Sequence, residues 1–483
     1  MARRSQNFTG PAAAPRTRRL VWVLLGFVAL QLAVLAWTVL RPAEVLPATI
    51  VAAPRLVVAL QLAALLAVLV LAWRAALFAR YRPLAGVPDA ELPAISVIVP
   101  AYNEGRQVLD TVRSLMAGDY PASRLQIITI DDGSQDDTWT WIQRGADEFP
   151  DHVLALRCPE NRGKREALYE GFQRATGEVI VTVDSDSEVL PDALRNLVTP
   201  LVRDPRVGAV SGNVRVLNRD GGALPAMMDV TFTTSFEFIR VTQSEVGVVM
   251  CCPGALSAYR RDLVTRFQDE WVTQTFLGQP ASIGEDRAMT NLVLRMGHEV
   301  HFQSNAIVVT KVPTGTRQLA RMLLRWARSD VRETLTLAQI LWRRPGAWSW
   351  GAHVNFIASA LGLALSPVMF VWLAAAAVLA PALIAWTLFG VLLAAAMPAL
   401  IFGHLREARS AWWAFPYGLY SLLCLSWIRP YALVTPHHAS WLTRALPRAT
   451  TPTPSGDRRD HRRRRAAGHL RDIAPTSSID LPG

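Results

Sequence analysis

The sequence predicts an α/β domain with a mostly parallel sheet, inserted between two groups of membrane-spanning helices, and three observations support this fold class. β-Branched and apolar residues dominate positions 95–100 and 179–183, as in strands buried on both faces of a parallel sheet. Helical patterns follow such runs, which is typical of βαβ units. Long uncharged stretches lie on both sides, and 51% of the 483 residues are hydrophobic, a high share for a purely soluble protein.

Two N-terminal stretches are predicted to cross a membrane. Residues 20–40 and 56–73 carry no charge, and each is about long enough to span a hydrocarbon core of ~30 Å. A cleaved signal peptide is the alternative for the first stretch, but a second span follows it, so we predict an uncleaved anchor. Arginines cluster before the first stretch and after the second, which predicts that the N-terminus and everything after Tyr81 lie on the cytoplasmic side of the cell membrane.

These patterns divide the chain into six parts. They are a cytoplasmic tail (1–19), two transmembrane helices (20–78), a cytoplasmic α/β domain (93–312), an interfacial amphipathic helix (316–344), a C-terminal transmembrane region (352–435) and a basic disordered tail (447–483). Residues 352–403 are long enough for two spans with a turn near 379–381, and residues 411–428 supply a further apolar stretch. Because the arginine-rich tail belongs inside, we expect the segment 411–435, broken at Arg429 and Pro430, to return to the cytoplasmic side.

The net charge of +11 indicates a preference for anionic partners. Much of the basic excess lies beside the apolar stretches or in the tail, so membrane lipids are predicted partners. No recognised nucleic-acid module accompanies it, and we predict no nucleic-acid binding. The four cysteines lie on the predicted cytoplasmic side and should be reduced thiols, and no Cys/His cluster indicates zinc.

Polar loops follow three of the predicted strands. They carry an aromatic ring and several carboxylates: Tyr102, Asn103, Glu104, Asp131, Asp132, Asp184 and Asp186. Because the carboxyl ends of parallel strands meet at one edge of a sheet, these side chains should converge there. Two carboxylates one residue apart, Asp184 and Asp186, suit a hard divalent cation that takes its remaining oxygens from a diphosphate. With an aromatic face for a base, the set suits a nucleotide.

Structural alternatives exist for these residues. Residues 131–134 also fit an Asx turn in which Gly133 supplies a positive φ. Lys164 is one of two lysines among 50 basic residues and stands at a glycine-containing helix start. A compact ammonium and a helix N-terminus both favour a phosphate there, and chance placement is the alternative.

Four motifs, in their order and spacing, resemble those of processive, membrane-embedded family 2 glycosyltransferases. They are PAYNE (100–104), DDGS (131–134), RGKREAL (162–168) and DSD (184–186). The segments GNV (212–214) and MCCPGALS (250–257) resemble the branch that contains hyaluronan, chitin and rhizobial chitooligosaccharide synthases. The resemblance implies a cytoplasmic glycosyltransferase A-type, Rossmann-like domain.

The resemblance also implies roles for individual residues. It assigns the nucleotide-sugar to Tyr102, Glu104, Asp131, Lys164, Asp184 and Arg325, a Mg²⁺ or Mn²⁺ ion to Asp184 and Asp186, and the acceptor to Cys252 and Trp326. In this assignment Tyr102 contacts the uracil and Lys164 the diphosphate. For the adjacent cysteines 251 and 252, a small buried hydrophobic role is the alternative for at least one.

Gly284, Glu285 and Asp286 precede an amphipathic helical pattern that ends at Gly297. Acidic residues in a first helical turn commonly just complement the helix dipole. The resemblance instead makes Asp286 the general base, which deprotonates the acceptor hydroxyl as it attacks the anomeric carbon. A single displacement of this kind inverts that carbon.

Residues 316–344 predict an amphipathic helix on the membrane surface. Its basic side carries five arginines: Arg317, Arg321, Arg325, Arg328 and Arg332. We expect most of them to face lipid headgroups. Arg325 and Trp326 match the end of the family's Q-x-x-R-W motif, but Met322 replaces the glutamine, which puts acceptor alignment and processivity in doubt. Residues 441–444 (WLTR) are similar to the WGTR ending of hyaluronan synthases.

The resulting hypothesis is an inverting, metal-dependent glycosyltransferase. It polymerises UDP-sugars, UDP-N-acetylglucosamine with or without UDP-glucuronate, and translocates the polysaccharide across the membrane. Two alternatives remain open: transfer of one sugar to a lipid carrier, and a catalytically silent membrane scaffold. The retained acidic residues argue against the scaffold.

Overall fold

The computed structural model of the protein describes residues 13–42, 54–343, 350–379 and 382–438. Its strands are β1 (Ile95–Ala101), β2 (Leu125–Asp131), β3 (Val153–Arg157), β4 (Val179–Thr182), β5 (Ser187–Val189), β6 (Val207–Val216), β7 (Ser257–Arg260), β8 (Thr275–Phe276), β9 (Gln279–Pro280) and β10 (Glu299–Thr310). Its α-helices are α1 (Ala13–Leu40), α2 (Pro54–Arg80), α3 (Gln107–Met116), α4 (Thr138–Glu148), α5 (Lys164–Phe172), α6 (Ala193–Arg203), α7 (Ala223–Thr234), α8 (Val241–Ser244), α9 (Arg261–Val272), α10 (Glu285–Arg295), α11 (Thr316–Arg343), α12 (Trp350–Ala364), α13 (Ser366–Leu379), α14 (Ala382–Leu405), α15 (Ala414–Tyr420) and α16 (Ile428–Val434). Two π-helical turns, Ser235–Arg240 and Ser421–Leu425, continue α7 and α15.

One eight-stranded sheet forms the centre of the domain, in the order β3-β2-β1-β4-β7-β6-β10-β5. β1 pairs in parallel with β2 and β4, and β6 pairs in parallel with β10. β7 and β5 run the other way, so six of the eight strands share one direction. Every residue of β1 and β4 is buried, because helices cover both faces where the sequence is β-branched. The predicted mostly parallel α/β class is confirmed.

The reversal of β7 decides what lies at the edge where the polar loops meet. Its neighbours β4 and β6 end at this edge, whereas antiparallel β7 begins there at Ser257. The segment 251–256 therefore enters the sheet beside the loops that follow β1, β2 and β4. No local sequence pattern predicted this placement.

In the part of the chain that the structure describes, four helical stretches are long and apolar enough to cross a membrane: Arg19–Leu40, Val57–Arg80, Trp350–Ala375 and Thr387–Leu405. They flank the α/β domain on both sides and indicate a membrane protein. The predicted further stretch at 411–428 is helical but divided, because a 3-10 turn (Ala408–Trp413), α15, a π-turn and α16 follow one another. Within the described residues it supplies no fifth helix of spanning length. The predicted turn residues 380–381, the WLTR segment and the basic tail lie outside the described residues.

Helix α11 extends over the predicted amphipathic region, but its basic side is not uniformly exposed. Arg317 and Arg321 are exposed, as expected for headgroup contacts. Arg328 and Arg332 are buried: Arg328 donates to the hydroxyl of Thr435 at 3.2 Å, and Arg332 donates to the carbonyl of Ile283. The headgroup interpretation is therefore wrong for these two arginines, because α11 packs against the loop before α10 and against the end of α16.

Candidate active site

Asp131 ends β2 as a fully buried carboxylate at the edge of the sheet. Its Oδ1 accepts the backbone N–H of Ser134 at 2.9 Å, and Gly133 has a φ of +71°, so the Asx turn forms. Its Oδ2 lies 3.4 Å from Nε of Arg157, whose guanidinium lies 5.4 Å from the ring centroid of Trp139. The turn leaves one carboxylate oxygen directed at the end of β3, so the structural and binding interpretations are compatible.

The neighbouring carboxylate, Asp132, holds the loop that precedes Lys164. Its two oxygens accept the backbone N–H groups of Arg162 and Gly163 at 3.0 and 2.8 Å. Burial raises the pKa of Asp132 to about 6, although these amide donors counteract the rise. The DDGS turn therefore positions the start of α5.

Lys164 contacts both the loop after β4 and the start of α10. Its ammonium is paired with Asp184 and lies 3.3 Å from Oε1 of Glu285. Burial by itself would lower the pKa of Lys164, but the carboxylates of Asp184 and Glu285 raise it above the ordinary lysine value, so the side chain stays charged. Gly254 packs directly on this pair, since a Cβ at this position would collide with the Lys164 ammonium and lie 3.1 Å from Oδ1 of Asp184.

Asp184 and Asp186 follow β4 at the same edge. Asp186 accepts weak hydrogen bonds from the hydroxyls of Ser187 and Thr310 at 3.4 and 3.5 Å. Burial, together with the negative charge of Asp184, raises the pKa of Asp186 to about 6. Two close carboxylates that repel each other fit a divalent cation, but among the described residues no third acidic, histidine or cysteine ligand completes a cage. The pair therefore suits an ion such as Mg²⁺ that takes further oxygens from a substrate and water.

Helix α10 begins at Glu285 and presents Asp286 in its first turn. Gly284 precedes it with a φ of +73°, and a side chain there would collide with Ser329 of α11, which explains the glycine. The indole of Trp271 donates to the carbonyl of Glu285 at 3.1 Å and fixes this turn. Burial would raise the pKa of Glu285, but Lys164 and Arg325 hold it below its usual value.

The carboxylate of Asp286 meets the segment that enters β7. Its Oδ1 accepts the N–H of Arg287 at 2.8 Å, and its Oδ2 lies 3.5 Å from Sγ of Cys251, which donates to it. Burial and then the negative charge of Glu285 raise the pKa of Asp286. A carboxylate with a raised pKa, next to a segment at the mouth of the sheet, is suited to accepting a proton.

The structure places the two adjacent cysteines differently. Cys252, predicted to border the acceptor, is fully buried, and its N–H donates to Thr290 at 3.0 Å. Its thiol therefore faces the protein core. Cys251 is partly exposed and contacts Asp286, so it is the cysteine that lies on the side of that carboxylate. Burial raises the pKa of both thiols, that of Cys252 to about 12, so both are neutral.

The Q-x-x-R-W-like positions lie on α11, on the side of Glu285. Arg325 is close enough to lower the pKa of Glu285. Trp326 is 41% exposed and its ring centroid lies 6.3 Å from that of Phe232. Met322 is half-buried against the hydrophobic core, where an amide would lack the same packing.

Tyr102 and Glu104 follow β1: Tyr102 is buried, and the N–H of Glu104 donates to Thr138 at 2.9 Å.

The sequence assigned no individual role to Asp132, Glu285 or Cys251, which the structure places at the candidate site. Each is the neighbour of a residue that was predicted, in the DDGS, GED and CC segments. The sequence feature that marks all three is a pair of adjacent residues of the same chemical type, two acids or two cysteines. Only the fold shows which member of each pair faces the site.

The chain is similar to known proteins in sequence and in fold. The family model described as Glycosyltransferase like family 2 matches residues 93–329. A mannosyltransferase of known structure from Pyrobaculum calidifontis superposes with a TM-score of 0.47 at 22% identity, over 84% of this chain and 99% of that one. A structural similarity with this TM-score carries no argument about the function of this chain, so the family is assigned from the sequence matches.

Two sequence relatives support the same family. An N-acetylglucosaminyltransferase of Rhizobium leguminosarum bv. viciae is 31% identical over 369 residues, which are 75% of this chain and 84% of that protein. A hyaluronan synthase of Streptococcus pyogenes is 32% identical over 295 residues, which are 60% of this chain and 69% of that protein. The chain therefore belongs to glycosyltransferase family 2 and is a hexosyltransferase.

Proposed function

We propose that the protein is an inverting, metal-dependent polysaccharide synthase that uses UDP-sugars and passes its product through its apolar helices. The observation that carries this proposal is the convergence of Lys164, Asp184 and Glu285 in one ionic cluster, with Asp286 next in α10. The names of the two sequence relatives favour N-acetylglucosamine, with or without glucuronate, as the transferred sugar.

In the proposed reaction the donor lies along the sheet edge. Tyr102, Glu104 and Asp131 hold the uridine, while Lys164 and Arg325 neutralise the diphosphate. A divalent cation bound by Asp184 and Asp186 would offset the charge that develops on the departing UDP. Cys251 and Trp326 border the acceptor.

The chemical step is a single displacement. The acceptor hydroxyl oxygen forms a bond to the anomeric carbon while the bond from that carbon to the UDP oxygen breaks. The hydroxyl proton passes to Asp286, and the electron pair of the broken bond leaves with UDP. Attack from the side opposite UDP inverts the carbon.

Release of UDP tests the proposal. Purified protein should release UDP from UDP-N-acetylglucosamine, alone or with UDP-glucuronate, in Mg²⁺ or Mn²⁺ and not in EDTA. Asp286→Asn should lower this turnover by at least about 100-fold while UDP binding is retained. Asp262→Asn, at an exposed carboxylate, is the matched control and should keep normal turnover. Normal turnover in Asp286→Asn would remove the base assignment.

Transfer of one sugar to a lipid carrier is the second candidate, and Met322 favours it. Sizing of the product separates the two, because a synthase makes high polymer and a carrier enzyme makes a single-sugar lipid. Digestion of a polymer with hyaluronidase or chitinase then identifies the repeating sugar. Absence of UDP release with every UDP-sugar, in the presence of metal, would favour the silent scaffold.

A further inference from the structure

A buried arginine lies between two of the apolar helices. Arg74 on α2 is 9% exposed, and it lies about 9 Å before the helix ends at Arg80. Its Nη2 donates to Oδ1 of Asn355 on α12 at 3.0 Å, and Asn355 is fully buried. Both residues fall in stretches long and apolar enough to span a membrane.

This pair has unused hydrogen-bond donors. Nε of Arg74 and Nδ2 of Asn355 are buried and donate to no acceptor in the part of the chain that the structure describes. No carboxylate of those residues forms an ion pair with Arg74. A buried cation without an anion, beside an amide nitrogen that lacks an acceptor, is unfavourable unless a ligand supplies acceptor oxygens.

The pair also lies close to the acceptor end of the active site. Ser359, one turn after Asn355, donates to the Asn355 carbonyl at 3.0 Å and to Sδ of Met250 at 3.7 Å. Met250 directly precedes Cys251, whose thiol contacts Asp286. Ser359 and Met250 therefore connect the Arg74–Asn355 pair to the segment that carries Cys251.

We propose that Arg74 and Asn355 bind the glycan product where it passes from the active site into the membrane helices. Their free donors match hydroxyl, N-acetyl carbonyl and carboxylate oxygens of a sugar chain. The inference rests on the proposed function, because a growing glycan is the ligand that this position would receive.

Binding of an N-acetylglucosamine tetrasaccharide to the full-length, detergent-solubilised protein tests the proposal without requiring catalysis. Equilibrium dialysis with the labelled tetrasaccharide should show about tenfold or greater weakening in Arg74→Met, as expected when a charged donor is lost. The double variant Arg74→Met/Asn355→Leu should show the same loss. Arg80→Met removes an exposed arginine from the same helix and should leave the affinity within about twofold. UDP binding should be unchanged in all three.

Thermal unfolding separates ligand binding from a structural role. Because the double variant removes an uncompensated cation and leaves no partner unpaired, it should unfold at or above the wild-type temperature. Unchanged tetrasaccharide affinity, or failure of both variants to fold, would overturn the proposal. So would selective loss of anionic-lipid binding, measured with phosphatidylglycerol. Normal tetrasaccharide binding without UDP release from any UDP-sugar would instead reject the proposed function and leave the glycan contact standing.

Discussion

At the residue scale, Asp286 accepts a proton only when it is ionised, and its environment sets when that happens. Burial and the charge of Glu285 raise its pKa, so turnover should rise as the pH rises through that pKa and then level off. The thiol of Cys251 donates to the carboxylate and stabilises its ionised form.

The first prediction concerns this donor. Cys251→Ala should raise the pKa of Asp286 further and shift the acidic side of the pH profile of kcat to higher pH. Cys251→Ser retains a donor and should leave that profile unchanged. The two variants differ only at the residue that contacts Asp286, so the difference between their pH profiles, measured at saturating donor, reports on Asp286. Identical profiles in both variants would contradict the proposed contact.

The second prediction concerns Asp132, which holds the backbone before Lys164. Asp132→Asn keeps only one acceptor oxygen and loses one of its two bonds to this backbone, while the Gly163 N–H retains Asn161 Oδ1 at 3.0 Å, so the cost should be about 0.5–1.5 kcal/mol and the KM for the UDP-sugar should rise about three- to tenfold. Glu160→Gln changes an exposed carboxylate in the same loop and should leave KM unchanged. A normal KM in Asp132→Asn would show that Asp132 does not position Lys164 for donor binding.

At the element scale, the π-turn after α7 connects the apolar helix α14 with the acceptor side. Glu237 in this turn accepts from Asn213, Arg215 and Arg406 at 2.9, 3.0 and 2.6 Å, and Arg406 directly follows α14. In the same turn, Arg240 donates to the carbonyl of Cys251 at 3.3 Å. Single π-turns inside helices often occur at functional sites, and this one contacts both Arg406 after α14 and the Cys251 backbone.

The third prediction follows from that cluster. Glu237→Gln leaves the buried guanidinium of Arg215 and the partly buried guanidinium of Arg406 without their shared anion and should destabilise the protein by about 3–5 kcal/mol. Glu407→Gln removes the partner of Arg219 from a partly exposed pair at 3.4 Å and should cost less than about 1 kcal/mol. Denaturant unfolding in detergent measures both values, and equal losses would contradict the assigned role of the buried cluster.

At the scale of the whole molecule, the proposed orientation puts the α/β domain on the cytoplasmic side. The β8–β9 hairpin is a convenient probe, because Leu277 at its tip is 74% exposed.

The fourth prediction uses a protease site inserted between Leu277 and Gly278. In a bacterial host the site should be cut in inverted membrane vesicles and stay intact in spheroplasts, and detergent should make it accessible in both preparations. Cleavage in intact spheroplasts would place the domain on the outside and contradict both the orientation and the use of a cytoplasmic sugar nucleotide.

The sequence by itself determined the features that depend on local pattern. Runs of β-branched residues predicted β1 and β4, glycine and acidic spacing predicted the DDGS turn and the start of α10, and uncharged stretches predicted the apolar helices. Burial, turn geometry and membrane partitioning are set largely by short segments, so these features can be predicted from the sequence without knowledge of the fold.

The tertiary structure alone decided which of the neighbouring residues face the site. The reversed strand β7 brings Cys251, not Cys252, to Asp286, and the meeting of the loop after β4 with the start of α10 gives Lys164 its two carboxylate partners, Asp184 and Glu285. The packing of α11 against the loop before α10 and against the end of α16 buries Arg328 and Arg332, which the helical pattern placed on an exposed side. These outcomes depend on contacts between segments far apart in the chain, and a local pattern carries no information about which distant segment will cover a given face.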